Sequence, residues 1–190
     1  MAYGGLQADN TQMVVVSYTA DDAQVAGVYR SGDSGETWTQ LIPVEDTRFE
    51  SMAMSSDGMV ILVGSDCDPL YLSKDSGTTW TEVKPMSDAA EHEWITAAMS
   101  SDGGMMLAGI LVPSAEGASL YMSKNSGSTW TAIDAEGDND LCCSGSAISS
   151  DGTILAAGFY GGLIYTSKNS GTNWLEAQPL GDADEFWPRL

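Results

Sequence analysis

Carboxylates are the most abundant reactive side chains in this sequence. The 190-residue chain has 27 Asp and Glu against 7 Lys and Arg and one His, a net charge of −20. One stretch places Asp134, Glu136, Asp138 and Asp140 at alternate positions. Oxygen ligands of this kind suit calcium, although the ligand order of an EF-hand loop is absent. We take these four residues as a candidate calcium site and otherwise expect no cofactor.

Other reactive side chains are few. Cys67, Cys142, Cys143 and His92 do not have zinc-site spacing. Adjacent cysteines rarely pair with each other, so the sequence allows either three buried thiols or one bridge from Cys67 to Cys142 or Cys143. No Cys/His dyad is evident for nucleophilic hydrolysis. A glycosidase needs two facing carboxylates, and the sequence singles out no such pair.

One octapeptide, present four times, organises the chain that carries these groups. Its copies end at Trp38, Trp80, Trp130 and Trp174, which are 42, 50 and 44 residues apart. A repeat length in this range indicates an array of similar units. We therefore predict a single array over residues 1–190, with repeats at approximately 1–48, 49–93, 94–142 and 143–186.

Each repeat reads as four short strands. In the second repeat, small side chains alternate with apolar ones over residues 51–55. Ser56-Asp57-Gly58 predicts a turn, and Met59–Val63 is a short apolar run typical of a strand buried on both faces. Residues 70–73 and 80–83 complete one antiparallel sheet. Strands that are apolar on both faces must be covered twice, which sheets stacked around an axis achieve. The predicted fold is all-β: a β-propeller of four four-stranded antiparallel blades.

The octapeptide resembles the Asp-box, or BNR repeat, of sialidases, sortilin-type receptors and photosystem II assembly factors. The resemblance implies a propeller with each box at the turn between the third and fourth strands of a blade. Asp and Asn interchange between copies, which favours a structural role in which the side chain bonds its own turn. The structural residues are Ser31, Asp33, Gly35, Trp38, Ser73, Asp75, Gly77, Trp80, Ser123, Asn125, Gly127, Trp130, Ser167, Asn169, Gly171 and Trp174.

Because successive strands run in opposite directions, the turns and loops of each sheet lie alternately on two opposite faces of the molecule. The octapeptides and the Ser-Asp-Gly turns share one face, while the loops between second and third strands and the connections between blades share the other. This opposite face collects 17 of the 27 acids. We take it as the binding face, for a protein, a cation or another copy of the chain. Its candidate residues are Asp66, Asp68, Asp134, Glu136, Asp138, Asp140, Asp182 and Asp184.

The two chain ends leave the architecture open. Trp187 repeats the position of Trp94, so residues 187–190 either complete the innermost strand of the first blade and close a ring or begin a further blade of a larger ring or filament. Pro188 disfavours a closing strand because it cannot donate to a ladder. No secretory signal is visible at residues 1–5, and no apolar stretch is long enough to span a bilayer.

The functional prediction is a non-catalytic binding or scaffold module. The resemblance to sialidases would imply an arginine triad, onto which Arg30, Arg48 and Arg189 cannot be mapped. A docking factor similar to photosystem II assembly factors is the first alternative, and a sialidase-like hydrolase the second. We expect a protein partner or self-association, allow a glycan, and exclude nucleic acid because the acidic surface repels phosphates. A location outside the cytosol, secreted or in an organelle lumen, is favoured.

Overall fold

The computed structural model describes residues 2–6, 12–17, 27–42, 48–66, 69–86, 92–112, 118–133, 142–161 and 163–177. These residues form sixteen strands and four separate antiparallel sheets of four strands each, as predicted. The first sheet contains β1 (Ala2–Leu6), β2 (Met13–Ser17), β3 (Gly27–Ser31) and β4 (Thr39–Ile42). The second contains β5 (Arg48–Met54), β6 (Ile61–Asp66), β7 (Leu70–Ser73) and β8 (Thr81–Val83).

The third and fourth sheets repeat this order. The third contains β9 (Trp94–Met99), β10 (Met106–Ile110), β11 (Leu120–Ser123) and β12 (Thr131–Ala132). The fourth contains β13 (Cys143–Ile148), β14 (Leu155–Phe159), β15 (Ile164–Ser167) and β16 (Leu175–Ala177). Within every sheet the strands pair in chain order. All connections are therefore local, as in a meander.

The second strands start later than predicted. Residues 59 and 60 were expected in a strand with residues 61–63, but they belong to the preceding turn. The Met59 N–H donates to Asp57 Oδ1 at 2.9 Å, and the Val60 N–H donates to Ser55 Oγ at 2.9 Å. The Ile154 N–H donates to Ser149 Oγ in the same way. Because these N–H groups donate to side-chain oxygens, the hydrogen bonds between neighbouring strands begin only after them.

Neighbouring sheets pack through three apolar clusters. Val14, Phe49 and Ile61 belong to the cluster between the first and second sheets. Leu62, Trp94 and Ala108 belong to the next, and Leu107, Cys143 and Leu155 to the last. The inner strand β5 contacts β1 and β9, and β9 contacts β13. Among the described residues the first and fourth sheets make no comparable contact, so the four sheets are not closed into a ring.

Burial of the second strands follows from this arrangement. Residues 61–65 of β6 and all of β10 are buried, because their sheets have a neighbour on each face. In β14 every second residue is only partly buried. The prediction that every second strand is buried on both faces therefore holds for the two middle sheets. It is wrong for the first, where Met13 and Val15 are only partly buried, and for the fourth; each of these sheets has one packed face in the described part of the chain.

Serine side chains and backbone groups also join the sheets. The Ser56 N–H donates to the Ser101 carbonyl at 2.8 Å, and the Ser101 N–H donates to the Ser150 carbonyl at 2.8 Å. Ser51 Oγ donates to the Trp94 carbonyl at 2.8 Å within the buried interface. These bonds connect equivalent turns and strands of successive sheets, so each sheet is held in a fixed register on the next.

Candidate functional site

The octapeptide turns lie between the third and fourth strands of all four sheets. In each turn a serine and the following glycine have positive φ, for example 58° at Ser76 and 85° at Gly77. Ser73 Oγ donates to Asp75 Oδ1 at 2.9 Å and accepts the Gly77 N–H at 2.8 Å. Asp75 Oδ1 also accepts the Thr79 N–H at 2.8 Å. The Asp75 carboxylate thus closes its own turn through hydrogen bonds to Ser73 and Thr79.

Asparagine makes the same turn without charge. Asn125 Oδ1 accepts the Thr129 N–H at 2.8 Å, and Asn125 Nδ2 donates to Thr129 Oγ1 at 2.8 Å. Where the residue is Asp33, bonds from Thr37 and Ser31 lower the pKa of the carboxyl to about 2. Bonds from Thr79 likewise lower the pKa of Asp75. These acids are ionised in the folded protein and engaged in local hydrogen bonds.

The octapeptide tryptophans face the junctions between sheets. Trp80, Trp130 and Trp174 each pack against the apolar cluster shared with the preceding sheet, whereas Trp38 of the first sheet is 41% exposed. In the first three copies the indole Nε1 donates to the glycine carbonyl of its own turn, at 3.0 to 3.2 Å. Trp174 Nε1 is buried and finds no acceptor among the described residues.

A cluster of charged side chains lies on the opposite face, at the start of the inner strands. Arg48 Nη1 is 3.2 Å from Asp66 Oδ2, and Arg48 Nη2 is 3.6 Å from Glu50 Oε1. The charges of Glu93 and Asp66 act on Glu50 as well. We call Arg48, Glu50, Asp66 and Glu93 the axial cluster. Its carboxylates come from the second sheet and from Glu93, which precedes β9 and acts on Glu50 through its charge.

A β-bulge positions Glu50 within this cluster. Phe49 pairs with Ser65 and Ser51 pairs with Gly64, so Glu50 is the extra residue without a partner in β6. The inner strands β9 and β13 have equivalent irregularities, at Ile95 and Ser144. Bulges redirect side chains and are frequent beside active sites. Only in the second sheet does this position carry a carboxyl group.

The environment of Glu50 favours its protonated form. The side chain is 14% exposed, while that of Arg48 is 52% exposed. Burial raises the pKa of Glu50, the Arg48 guanidinium opposes that rise, and the neighbouring Glu93 and Asp66 carboxylates add to it. A partly buried carboxyl group with a raised pKa has one property required of a general acid.

A groove lies on the octapeptide side of the molecule, between the second and third sheets. It has a volume of about 510 Å³. Its walls come from the outer strand β8 and from the octapeptide of the third sheet. The lining residues are Leu72, Lys74, Thr79, Thr81, Glu82, Val83, Lys84, Gly127, Ser128, Thr129 and Trp130.

Most of the predicted acidic site cannot be placed. Asp68, Asp134, Glu136, Asp138, Asp140, Asp182 and Asp184 lie outside the described residues, as do residues 187–190. Asp66 is described and lies in the axial cluster. Within the described ranges no group of three or more acidic, His or Cys side chains is arranged to hold a metal ion. The calcium site at residues 134–140 remains a prediction.

The cysteines that are described are free thiols. Cys142 is partly buried, and Cys143 is fully buried between the third and fourth sheets. Burial raises the pKa of the Cys143 thiol to about 12. Cys143 is therefore an unreactive core residue. Among the described residues no helix has the length and apolar character needed to cross a membrane.

Comparison with known proteins identifies the fold. No family model and no curated protein matches the chain. Among solved structures, the GH74 enzyme of Niastella koreensis is 20% identical with a TM-score of 0.76, covering 94% of this chain and 30% of the enzyme. The GH74 xyloglucanase of Xanthomonas campestris is 22% identical with a TM-score of 0.68, covering 93% of this chain and 30% of the enzyme.

A third similar structure comes from a different kind of protein. YCF48 from Cyanidioschyzon merolae is 14% identical with a TM-score of 0.53, covering 73% of this chain and 39% of YCF48. The chain thus spans about a third of the length of these proteins. All three are β-propellers, which supports the predicted propeller fold.

The expectation of a protein without enzymatic activity is corrected by these matches. Solved structures similar to this chain include GH74 glycoside hydrolases. That expectation rested on three absences in the sequence: an arginine triad, a Cys/His dyad and a distinct pair of carboxylates. The carboxylates of the axial cluster bear on the last of these, since glycoside hydrolysis by paired carboxylates needs no arginine triad.

Proposed function

We propose that this chain is a propeller segment of a glycoside hydrolase, with its reacting groups in the axial cluster. The observation that carries the proposal is Glu50, a largely buried carboxyl group on a β-bulge whose pKa is raised beside two further carboxylates. The similarity to GH74 enzymes supports the reaction class.

The roles follow from the surroundings of each carboxylate. Protonated Glu50 donates its proton to the glycosidic oxygen as the bond to the leaving sugar breaks. Asp66 is held by Arg48 at 3.2 Å and serves to position that guanidinium. Glu93 has no ion-pair partner among the described residues, and it precedes the inner strand of the next sheet. Glu93 is the second carboxylate, which attacks the sugar or activates water.

The test is release of reducing sugar from a panel of plant polysaccharides. Glu50→Gln and Glu93→Gln should each lower the rate about 100-fold or more, the range expected for loss of a general acid or base. Glu36→Gln is the matched control, because Glu36 is exposed in the first octapeptide, far from this cluster in the chain. Activity should fall as the pH rises through the pKa of Glu50, since the proton donor is lost. Full activity of Glu50→Gln would refute the assignment.

We propose further that the octapeptide is an Asp-box of the BNR type. Its place between third and fourth strands, its positive-φ Ser-Gly pair and its Ser–Asp hydrogen bond support this identification. The box has a structural role, which the uncharged copies at Asn125 and Asn169 favour. Protein or cation binding by the acidic loops is the second candidate function, supported by the charge of −20.

A further inference from the structure

The groove between the second and third sheets differs from the junction before it. At the first junction Leu41 lies close against Gly77, and Arg30 Nη1 donates to the Ser76 carbonyl at 3.2 Å. The repeat places Val83 where the first sheet has Leu41, and Leu72 where it has Arg30. Here Leu72 lies close against Gly127, and the space of about 510 Å³ lies beside Leu72 and Val83.

The charge of this groove is opposite to that of the protein. Lys74 and Lys84 stand where the first sheet has Gly32 and Ile42, and both line the groove with Glu82. The two lysines are exposed, and no described residue forms an ion pair with them. The octapeptide on the far wall contains neutral Asn125 where the second sheet has Asp75. A local excess of positive charge in a chain of net charge −20 suits an anionic ligand.

The remaining lining suits a carbohydrate. Thr81 and Ser128 supply exposed hydroxyl groups, and Trp130 supplies a half-buried aromatic surface. The hydroxyl groups of Thr79 and Thr129 are bonded to Asp75 and Asn125 of their own turns. The indole is held in place by its Nε1 bond to the Gly127 carbonyl at 3.2 Å. Aromatic rings pack against apolar ligand faces while hydroxyl groups fix orientation. The adjacent edge strand β8 has three residues, too short for firm pairing with an added peptide strand.

We propose that this groove binds a carboxylated polysaccharide, a chain bearing uronic acid residues. Lys74 and Lys84 bind the sugar carboxylates, the hydroxyl groups of Thr81 and Ser128 together with Glu82 bind sugar hydroxyls, and Trp130 packs against a ring face. This assignment rests on the proposed glycoside hydrolase function and specifies its substrate class. The groove lies on the face opposite the axial cluster, so it acts as an accessory site that retains the polymer.

Calorimetric titration with an oligogalacturonate hexamer tests the proposal. The wild-type protein should bind the hexamer, and binding should weaken with added salt because exposed charges are screened. K74Q/K84Q should weaken binding about tenfold or more, equivalent to roughly 1.4 kcal/mol. K124Q/K168Q is the matched control, because these lysines occupy the same octapeptide position as Lys74 but do not line the groove. It should bind as the wild type does.

Three results would overturn the proposal. The first is equal binding of the carboxyl-reduced, neutral hexamer. The second is an equal loss of affinity in K124Q/K168Q, which would indicate a general effect of charge. The third is competition by a short poly-glutamate peptide that displaces the bound hexamer as effectively as unlabelled hexamer does. That result would make the ligand an acidic peptide.

Glu50→Gln separates this proposal from the proposed function. It should abolish hydrolysis and still bind the hexamer with wild-type affinity. If Glu50→Gln remains active while K74Q/K84Q loses binding, the hydrolase assignment fails and the groove assignment stands. If only neutral glycans are hydrolysed and K74Q/K84Q binds normally, the groove assignment fails and the hydrolase assignment stands.

Discussion

At the scale of single residues, the acids of this chain divide into two electrostatic classes. Asp33 and Asp151 accept hydrogen bonds within their turns, which lower the pKa of each carboxyl to about 2. Glu50 is buried beside like charges, which raise its pKa. The first class stabilises turns when ionised, whereas the second reduces stability when ionised. The difference separates structural acids from the candidate catalytic acid.

The octapeptide acids should make stability depend on pH in the acid range. The folded pKa of Asp33, about 2, lies below the unfolded value of about 3.9. Its contribution is therefore present above about pH 4 and is lost as the pH falls towards 2. Asp33→Asn keeps an acceptor for the Thr37 N–H and should flatten this part of the profile. The measurement is urea unfolding between pH 2 and 7.

The opposite exchange provides the control. Asn125→Asp adds a titrating carboxyl group to a turn that has none. It should steepen the loss of stability over the same pH range. Identical acid profiles for wild type, Asp33→Asn and Asn125→Asp would contradict the proposed role of the carboxylates.

Glu50→Gln should raise thermal stability at neutral pH. Burial and the neighbouring carboxylates disfavour the ionised form of Glu50, and the folded pKa lies above the unfolded one. The favourable contribution of Glu50 is thus present below the unfolded pKa of about 4.3 and is lost as the pH rises through the folded pKa. The amide of the Glu50→Gln variant does not ionise, so its contribution to stability does not change with pH. Melting temperatures at pH 3.5 and pH 7 should show a gain only at the higher pH.

A gain in stability with a loss of activity is the pattern expected of a functional residue. Asp66→Asn is the comparison, because Asp66 forms the shorter contact with Arg48. It should give no comparable gain in stability, since it removes a favourable ion pair. A lower melting temperature for Glu50→Gln at pH 7 would show that Glu50 is mainly the partner of Arg48.

At the scale of strands and sheets, close backbone contacts depend on glycine. A Cβ added at Gly64 would lie 2.7 Å from Trp94 Cβ, and one at Gly109 would lie 2.7 Å from Thr96 Cγ2. Gly158 holds the same position in the fourth sheet, where a Cβ would meet only Ser144 Oγ, at 3.2 Å. The repeated glycine therefore has different consequences in different sheets.

Alanine substitutions should reveal this difference. Gly64→Ala and Gly109→Ala should each cost about 1–3 kcal/mol of unfolding free energy, the usual cost of overpacking. Gly158→Ala should cost less than about 0.5 kcal/mol, as for a surface substitution. Denaturant unfolding of the three variants is the measurement. A large cost at Gly158 would show that another element covers the fourth sheet.

Sequence patterns predicted the sheets better than the strand ends. The octapeptide and the Ser-Asp-Gly turns recur at nearly constant spacing, so four sheets of four strands could be predicted. The start of β6 could not, because Asp57 and Ser55 capture the amides of residues 59 and 60. Side-chain bonds of this kind compete locally with strand pairing and leave no trace in hydrophobic periodicity.

The candidate site was harder to predict than the fold. Asp66 was singled out with the acidic loops, but Glu50 and Arg48 were missed and Glu93 was counted only among the acids of its face. Glu50 becomes distinctive through the register shift between Phe49 and Ser51. Alignment of the repeats held a usable signal, since Glu50 falls opposite Ile95 and Ser144. The groove was also missed, although three of the four octapeptides contain a lysine and so indicate positive charge on that face.

At the scale of the whole molecule, charge and assembly are linked. The sequence predicts most acids on the opposite face, while Lys74, Lys84, Lys124 and Lys168 lie in or near the octapeptide turns. Such a distribution favours association of opposite faces between copies. It also keeps the chain soluble through its net charge of −20.

Neutralising one acidic segment should weaken association without unfolding the protein. Replacing Asp134, Glu136, Asp138 and Asp140 by Ser and Asn should leave the melting temperature within about 2 °C, since exposed charges contribute little to stability. Mass in solution, measured by light scattering over a range of concentrations, should shift towards the monomer. Replacing Asp33, Asp75 and Glu36 by neutral residues is a control on the octapeptide face. Equal masses for all three proteins would exclude this segment from association.

The bonds between Ser56, Ser101 and Ser150 give the molecule a direction. The second sheet donates such a bond to the third, and the third donates one to the fourth, where the Ser150 amide donates to no described residue. A further sheet placed after the fourth would accept the Ser150 amide in the same way, although the side chains packed at each junction differ.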